Sequence, residues 1–346
     1  MDRLAIRFVH RLASALSAVV LALAAPGAAR AQEPSPHAID IPPWFANTFL
    51  DVKEDVGDAA REGKRLLVYF GQDGCPYCKL LMVNNFAQKA IVDKTRRHFV
   101  AVAINMWGDR EVTWTDGRTM SEKAFARHLD VQFTPTLLFF DEQGRVVARL
   151  NGYYPPNRFE AVLDYVAERR ERDGPLSDYL ARNVRERASV RLADEPFFAG
   201  PPYDLRRKPG GRPLAVVFET TDCPGCDELH QVSFKRKEVL EQVARYDVVR
   251  FALAARTEVT LPDGRAAIAQ DWARELGVAY APTIVLFDRA GREALRLEAY
   301  MRPFHVAGGF AYVADDAHRS EPSFQRYLQA RTEHLRASGQ RIDLME

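Results

Sequence analysis

The chain has little cysteine, little methionine and almost no net charge: 4 Cys, 6 Met and a formal +1 over 346 residues. Four cysteines are too few for a small secreted fold stapled by disulfides. The methionines form no cluster that would suit copper. The balance of 48 Lys+Arg against 47 Asp+Glu hides an asymmetry. Residues 1–31 hold Arg3, Arg7, Arg11 and Arg30 against Asp2, so the remainder is slightly acidic. That gives no electrostatic case for nucleic acid or an anionic lipid surface as partner. With 47% hydrophobic and 27% charged residues, the composition excludes a largely disordered chain, a collagen-like repeat and a multi-span membrane protein. The length suits two domains.

Residues 1–31 are laid out as a secretory signal peptide. After the three arginines comes the uncharged run Leu12–Ala29, and Ala29-Arg30-Ala31 before Gln32 fits a small-residue cleavage site. The competing reading is an uncleaved anchor. At 18 residues the run sits at the lower edge for a span, and Pro26-Gly27 would spoil its last turn. Cleavage after Ala31 is therefore expected, with export to an oxidising space, the bacterial periplasm, and no stable membrane insertion afterwards.

All four cysteines fall into two pairs of equal spacing, Cys75-Pro76-Tyr77-Cys78 and Cys223-Pro224-Gly225-Cys226, set 148 residues apart. Self-similarity extends around them. Phe49 matches Phe197, Gly63 matches Gly211, and Leu66, Val68 and Phe70 match Leu214, Val216 and Phe218. At an offset of 147 the matches resume: Asp116-Gly117-Arg118 with Asp263-Gly264-Arg265, Pro135-Thr136 with Pro282-Thr283, and Tyr165-Val166 with Tyr312-Val313. Two copies of one domain are joined in tandem.

Each copy reads as strand, helix, strand, helix, strand, strand, helix: an α/β unit with a mixed central sheet flanked by helices. Arg65–Gly71 and Pro213–Glu219 suit buried strands, and each leads into its cysteine pair and a helix. A proline then opens a strand, Thr136–Phe140 or Thr283–Phe287. The closing helix is clear at Asn157–Arg172 and less clear after Pro303, where Gly308-Gly309 would weaken it. The expected domains are residues 32–172 and 193–316, with a charged linker helix at 173–192 and a C-terminal helix within 317–346.

A cysteine at a strand–helix junction sits near the helix N-cap, and the proline after it takes the first helical position. Its sulfur faces unpaired N–H groups and the positive end of the helix dipole, which stabilise a thiolate by roughly 0.3–2 kcal/mol. The second cysteine lies one turn on, within the roughly 4.4–6.8 Å Cα separation that a disulfide needs. Such a pair can attack a substrate disulfide and resolve the mixed disulfide internally.

Strand, Cys-Pro-x-Cys at a helix start and a later x-Pro opening a strand resemble the thioredoxin superfamily in both copies. Lys64–Phe70, Cys75–Cys78 and Trp107-Gly108-Asp109-Arg110 are similar to SoxW-type exported thioredoxins. The resemblance implies two thioredoxin-like domains working as a protein disulfide oxidoreductase without a cofactor beyond their redox-active disulfides. It implies nucleophilic Cys75 and Cys223, resolving Cys78 and Cys226, and cis-prolines at Pro135 and Pro282. Thr134, Ala281 and Tyr77 would contact substrate beside those prolines. It further implies a reductive direction, protein disulfide substrates and a membrane electron donor. One departure is visible: cytoplasmic thioredoxins carry a buried aspartate six residues before the first cysteine, where this chain has Tyr69 and Val217. Proton transfer must then be arranged otherwise, by water or by Glu219 in the second copy.

Other readings compete. Permanent disulfides closing such short loops would add little stability. A zinc ribbon needs its pairs about 15–20 residues apart. Cys223, Cys226 and His230 could form a metal-binding module, since Cys226 and His230 are neighbours on one helix face, although a helix-surface histidine is more often solvated. An isomerase or oxidase is the alternative within the enzyme class. His37, His98, His128, His305, His318 and His334 form no catalytic cluster with a serine or aspartate.

Overall fold

The computed structural model describes residues 39–184, 189, 191–208, 210–278, 280–298, 301–340 and 342. The expected signal peptide, and residues 185–188 and 190 of the expected linker, lie outside the described residues.

The apolar run after Lys64 becomes strand β1 (Arg65–Gly71), buried along its whole length. Leu67 and Tyr69 belong to one core layer, and Leu66, Val68 and Phe70 to the other. A strand covered on both faces has no polar side to show in its pattern. After the short helix α1 (Pro76–Leu80) come β2 (Phe99–Asn105), β3 (Thr136–Phe140) and β4 (Val146–Asn151). β2 runs parallel to β1, whereas β3 pairs antiparallel with β1 and with β4, giving the order β2-β1-β3-β4. Helices α2 (Pro156–Ala167) and α3 (Leu176–Asn183) follow.

The second copy repeats the plan with β5 (Leu214–Glu219), α4 (Pro224–Gln231), β6 (Asp247–Ala252), β7 (Thr283–Phe287), β8 (Glu293–Glu298), α5 (Pro303–Ala314) and α6 (Phe324–Ala337). Its sheet order is β6-β5-β7-β8, with β5 and β6 parallel. No described helix is long and apolar enough to cross a membrane.

Three expectations need correction. Phe49 is not the counterpart of Phe197: it is 94% exposed. Trp44 and Phe45 pack on Phe86 as Phe197 and Phe198 pack on Phe234. The closing helix α5 is regular despite Gly308-Gly309, because both glycines are sites of close approach. A Cβ on Gly308 would lie 2.6 Å from Leu328 Cδ2, and one on Gly309 would lie 2.9 Å from Leu297. Finally, the linker helix and the C-terminal helix are two copies of one element. Leu176 and Leu180 of α3 join the first core as Phe324 and Leu328 of α6 join the second. The structural repeat therefore runs past residues 172 and 316.

The copies interlock through the residues two positions before Pro135 and Pro282. Phe133 packs in the second copy's core, 5.7 Å from the Phe324 ring. Tyr280 packs in the first copy's core, 4.6 Å from the Tyr154 ring, with Arg158 over its face. Asn151 Nδ2 donates to Glu298 Oε2 at 2.6 Å, joining β4 to β8.

Candidate active site

Both cysteine pairs are disulfides with Cα–Cα separations of 5.2 Å. Cys75 caps α1 and Cys223 caps α4, each followed by proline in the first turn. Cys75 Sγ accepts the Cys78 N–H at 3.0 Å, and Cys223 Sγ accepts the Cys226 N–H at 3.1 Å. The same donors face a thiolate once the pair is reduced, and a hydrogen bond to an ionised acceptor is about twice as strong. All four cysteines are at most 5% exposed.

The Thr134–Pro135 and Ala281–Pro282 bonds are cis. Cys75 Sγ lies 3.2 Å from the Thr134 carbonyl oxygen, and Ala281 packs directly with Cys223 and Cys226. Each proline loop thus lies against its own pair. In the second copy the approach is close enough that a Cβ on Gly225 would sit 3.0 Å from Pro282 Cδ. The residue at the same position of the first pair, Tyr77, turns to the other copy instead. Its hydroxyl accepts the Arg302 N–H at 2.8 Å and lies 3.4 Å from His305 Nδ1. Tyr77 lines the cleft at Cys75, but its polar end is committed to the interdomain joint. Burial holds the His305 imidazole down at about 4, neutral against that tyrosine.

The groups beneath the pairs differ between copies. In the first, Tyr69 keeps its hydroxyl buried without a hydrogen-bond partner. A side chain built at Gly71 would collide with that hydroxyl, and Gly71 is the counterpart of Glu219. The phenol of one copy therefore fills the place where the carboxylate of the other begins. In the second copy the expectation of a solvated His230 fails: the ring is 3% exposed. His230 Nε2 is 2.9 Å from Glu219 Oε1, and Nδ1 is 3.1 Å from Glu195 Oε1. Lys235 Nζ also reaches Glu195, at 2.9 Å. Burial alone would lower the His230 pKa, but the hydrogen bonds and charges of Glu219 and Glu195 carry it above its ordinary value. With both ring nitrogens engaged by carboxylates, His230 has none left for a metal held by Cys223 and Cys226. Among the described residues no group of three His, Cys, Asp or Glu is placed to hold a metal ion.

Surroundings also differ. A cleft of about 680 Å³ opens beside Cys75, lined by Thr134 and Trp107 and, from the second copy, by Phe304 and Gln329. The cavity beside Gly225 and Pro282 holds only about 10 Å³. Ser189 lies over the flanks of that second pair: its carbonyl accepts the Asp222 N–H at 3.0 Å, and its N–H donates to Asp227 Oδ2 at 2.8 Å. The acidic neighbourhood of Cys223 is partly offset, because Arg302 stands 3.6 Å from Glu228.

The Trp107–Arg110 loop is pinned by Glu122, a residue that carries no motif of its own. This carboxylate is 2% exposed. Its Oε1 accepts the Asn105 N–H at 3.0 Å and the Arg110 guanidinium at 2.7 Å, and Oε2 accepts the Arg110 N–H at 3.2 Å. Glu195 and the interdomain pair Tyr77–His305 were equally invisible, since each depends on segments distant in sequence.

The model of a thioredoxin-like domain family matches the chain twice, over residues 52–167 and 206–314. The thiol:disulfide interchange protein DsbD of Pseudoalteromonas atlantica is 28% identical over 113 residues, which is 32% of this chain and 17% of that protein. The chain therefore matches only about a sixth of the length of this curated relative. Among solved structures, a thioredoxin-fold protein from Helicobacter pylori is 25% identical with a TM-score of 0.34, covering 40% of this chain and 86% of its own. The oxidised C-terminal domain of Neisseria meningitidis DsbD is 16% identical with a TM-score of 0.26, covering 35% of this chain and 97% of its own.

Proposed function

The chain belongs to the thioredoxin-like domain family, and from that premise we propose that it is an exported thiol–disulfide oxidoreductase that reduces protein disulfides. Cys75 and Cys223 are the nucleophiles, and Cys78 and Cys226 resolve the mixed disulfides. The observation that carries this reading is the pair geometry: in each copy the first sulfur already accepts an N–H of its own helix start, with a cis-proline loop against it.

In the forward reaction the Cys75 thiolate attacks one sulfur of the substrate disulfide. The other substrate sulfur leaves as a thiolate and takes a proton from solvent. The Cys78 thiolate then attacks Cys75 Sγ, which closes the disulfide and frees the second substrate thiol. Two electrons pass from the pair to the substrate, and a dithiol donor must return them. An exported space holds no bulk dithiol pool, so a membrane protein carrying electrons from the cytoplasm is the donor this proposal requires. The periplasmic location and the SoxW-like placement of the chain belong to the same proposal. So do the domain extents, here taken to reach the ends of α3 and α6.

The Thr134–Pro135 and Ala281–Pro282 loops are the substrate-binding edges, with Tyr77 acting from the joint side. A metal-delivery role for the second pair is disfavoured by the engagement of His230 with Glu219 and Glu195. Catalysed insulin reduction with dithiothreitol as electron source tests the reading. Turnover above the dithiothreitol background is expected, and its loss is expected when both Cys75 and Cys223 are replaced by serine. Turnover equal to background in the unaltered chain would refute it.

A further inference from the structure

The cleft over Cys75 is built by both copies, and its outer wall is α6, which belongs to the second. Phe324 and Leu328 anchor α6 in the second core. Its opposite side reaches the first copy: Gln72 Nε2 donates to Gln325 Oε1 at 3.0 Å, and Gln325 Nε2 donates to Gln132 O at 3.1 Å. Gln132 Oε1 in turn accepts the Phe324 N–H at 3.2 Å. Gln72, three residues before Cys75, also accepts the indole N–H of Trp107 through Oε1. The Arg326 guanidinium lies 5.1 Å over that indole. Trp107 and α6 are thereby tied to each other as one continuous wall beside the nucleophile.

Cys75 lies at the floor of this recess, 3% exposed. The recess of about 680 Å³ falls within the roughly 300–1,000 Å³ of clefts that enclose drug-sized ligands. That volume admits a short length of single chain. The inner surface offers the Phe304 ring and the Gln329 amide, while Gln72 and Trp107 are already committed to each other and to α6. An aromatic ring suits a side chain, and an amide oxygen can accept from a peptide backbone N–H.

We propose that α6 is the specificity wall of the first pair, and that the cleft takes a disulfide carried on a short extended polypeptide segment laid along α6. The proposal rests on reading Cys75–Cys78 as a redox centre. The second pair carries a different cover, the Ser189 contacts and a cavity of about 10 Å³, so the recess for a peptide is a property of the first pair.

The test uses the full chain with Cys223 and Cys226 both replaced by serine, so that only the first pair reacts. Gln329 is exposed and lines the cleft, so Gln329→Trp narrows the cleft without touching the core. Steady-state reduction, with dithiothreitol as electron source and its background subtracted, is measured with hydroxyethyl disulfide and with an unstructured ten-residue peptide closed by one disulfide. The expected result is at least a fivefold rise in KM for the peptide, with kcat and the hydroxyethyl disulfide rate within twofold. Gln329→Arg, bulky and charged at the same position, is expected to raise the peptide KM as well. An unchanged peptide KM in both variants would overturn the proposal, as would equal slowing of both substrates. Failure of the parent chain to reduce hydroxyethyl disulfide at all would instead refute the redox reading beneath it.

Discussion

Lowering the pH from 7 to 5 should weaken the joint between the two copies through one residue, His305. The imidazole is half-buried at the start of α5 against the Tyr77 hydroxyl, and desolvation there holds its pKa down at about 4. In the unfolded chain the same group titrates near 6.5, at roughly the model-peptide value. A proton therefore favours the unfolded chain: the stabilisation is complete above about pH 6.5 and is lost as the pH falls toward 4. At pH 5 the unfolded imidazole is charged and the folded one is not, a difference of about 2 kcal/mol. Urea unfolding of the oxidised chain at pH 7 and pH 5, beside His305→Gln, isolates this contribution because every other titrating group is common to both. The unaltered chain should lose about 2 kcal/mol more than the variant over that interval. Equal losses would show that His305 is not held neutral in the joint, and the reasoning would fail.

Gly108→Ala should destabilise the chain by about 2 kcal/mol, because a Cβ there collides with the Glu122 carboxylate and breaks charge-assisted hydrogen bonds; a change below 0.5 kcal/mol in urea unfolding, roughly the surface-substitution range, would contradict this. His230→Gln should cost about 3 kcal/mol by leaving Glu219 and Glu195 without their shared cation. In the unaltered chain that contribution is present below about pH 6.5 and fades as pH rises through the raised folded value, so a variant whose deficit grows with pH would have the sign wrong. Cys75→Ser should lower the disulfide reductase rate more than Cys223→Ser, since the cleft opens at the first pair; the reverse order would sink that assignment. Intact mass of the exported product should correspond to cleavage after Ala31, and a membrane-bound chain retaining Met1 would show an anchor instead.

The tandem architecture was legible because its two strongest signals are local. A cysteine pair after a buried strand carries its own helix cap, and a doubled x-Pro carries its own strand start, so neither depends on where the other copy sits. What stayed hidden depends on relative placement. Phe133 and Tyr280 read as ordinary apolar residues of their own copies, yet each completes the core of the other. The kinship of α3 and α6 rests on matches such as Leu176 with Phe324 and Leu180 with Leu328, too few to register as a repeat. His230 looked solvated because a short helix shows only its own periodicity. The carboxylate of Glu195, which covers it, comes from 35 residues upstream. Gly308-Gly309 read as a weak helix from propensity alone, while the close approach of Leu328 and Leu297 shows what the two glycines make room for.

Trapping the mixed disulfide separates thiol–disulfide exchange from any other use of the two pairs. In a chain carrying Cys78→Ser and Cys226→Ser, the two nucleophiles keep their helix caps but lose their resolving partners. Mixed with a disulfide-containing peptide, this chain should accumulate a covalent adduct, located by peptide mass mapping mainly at Cys75 and only slightly at Cys223. No adduct at either cysteine would contradict thiol–disulfide exchange as the function, and an adduct confined to Cys223 would contradict the placement of substrate entry at the first pair.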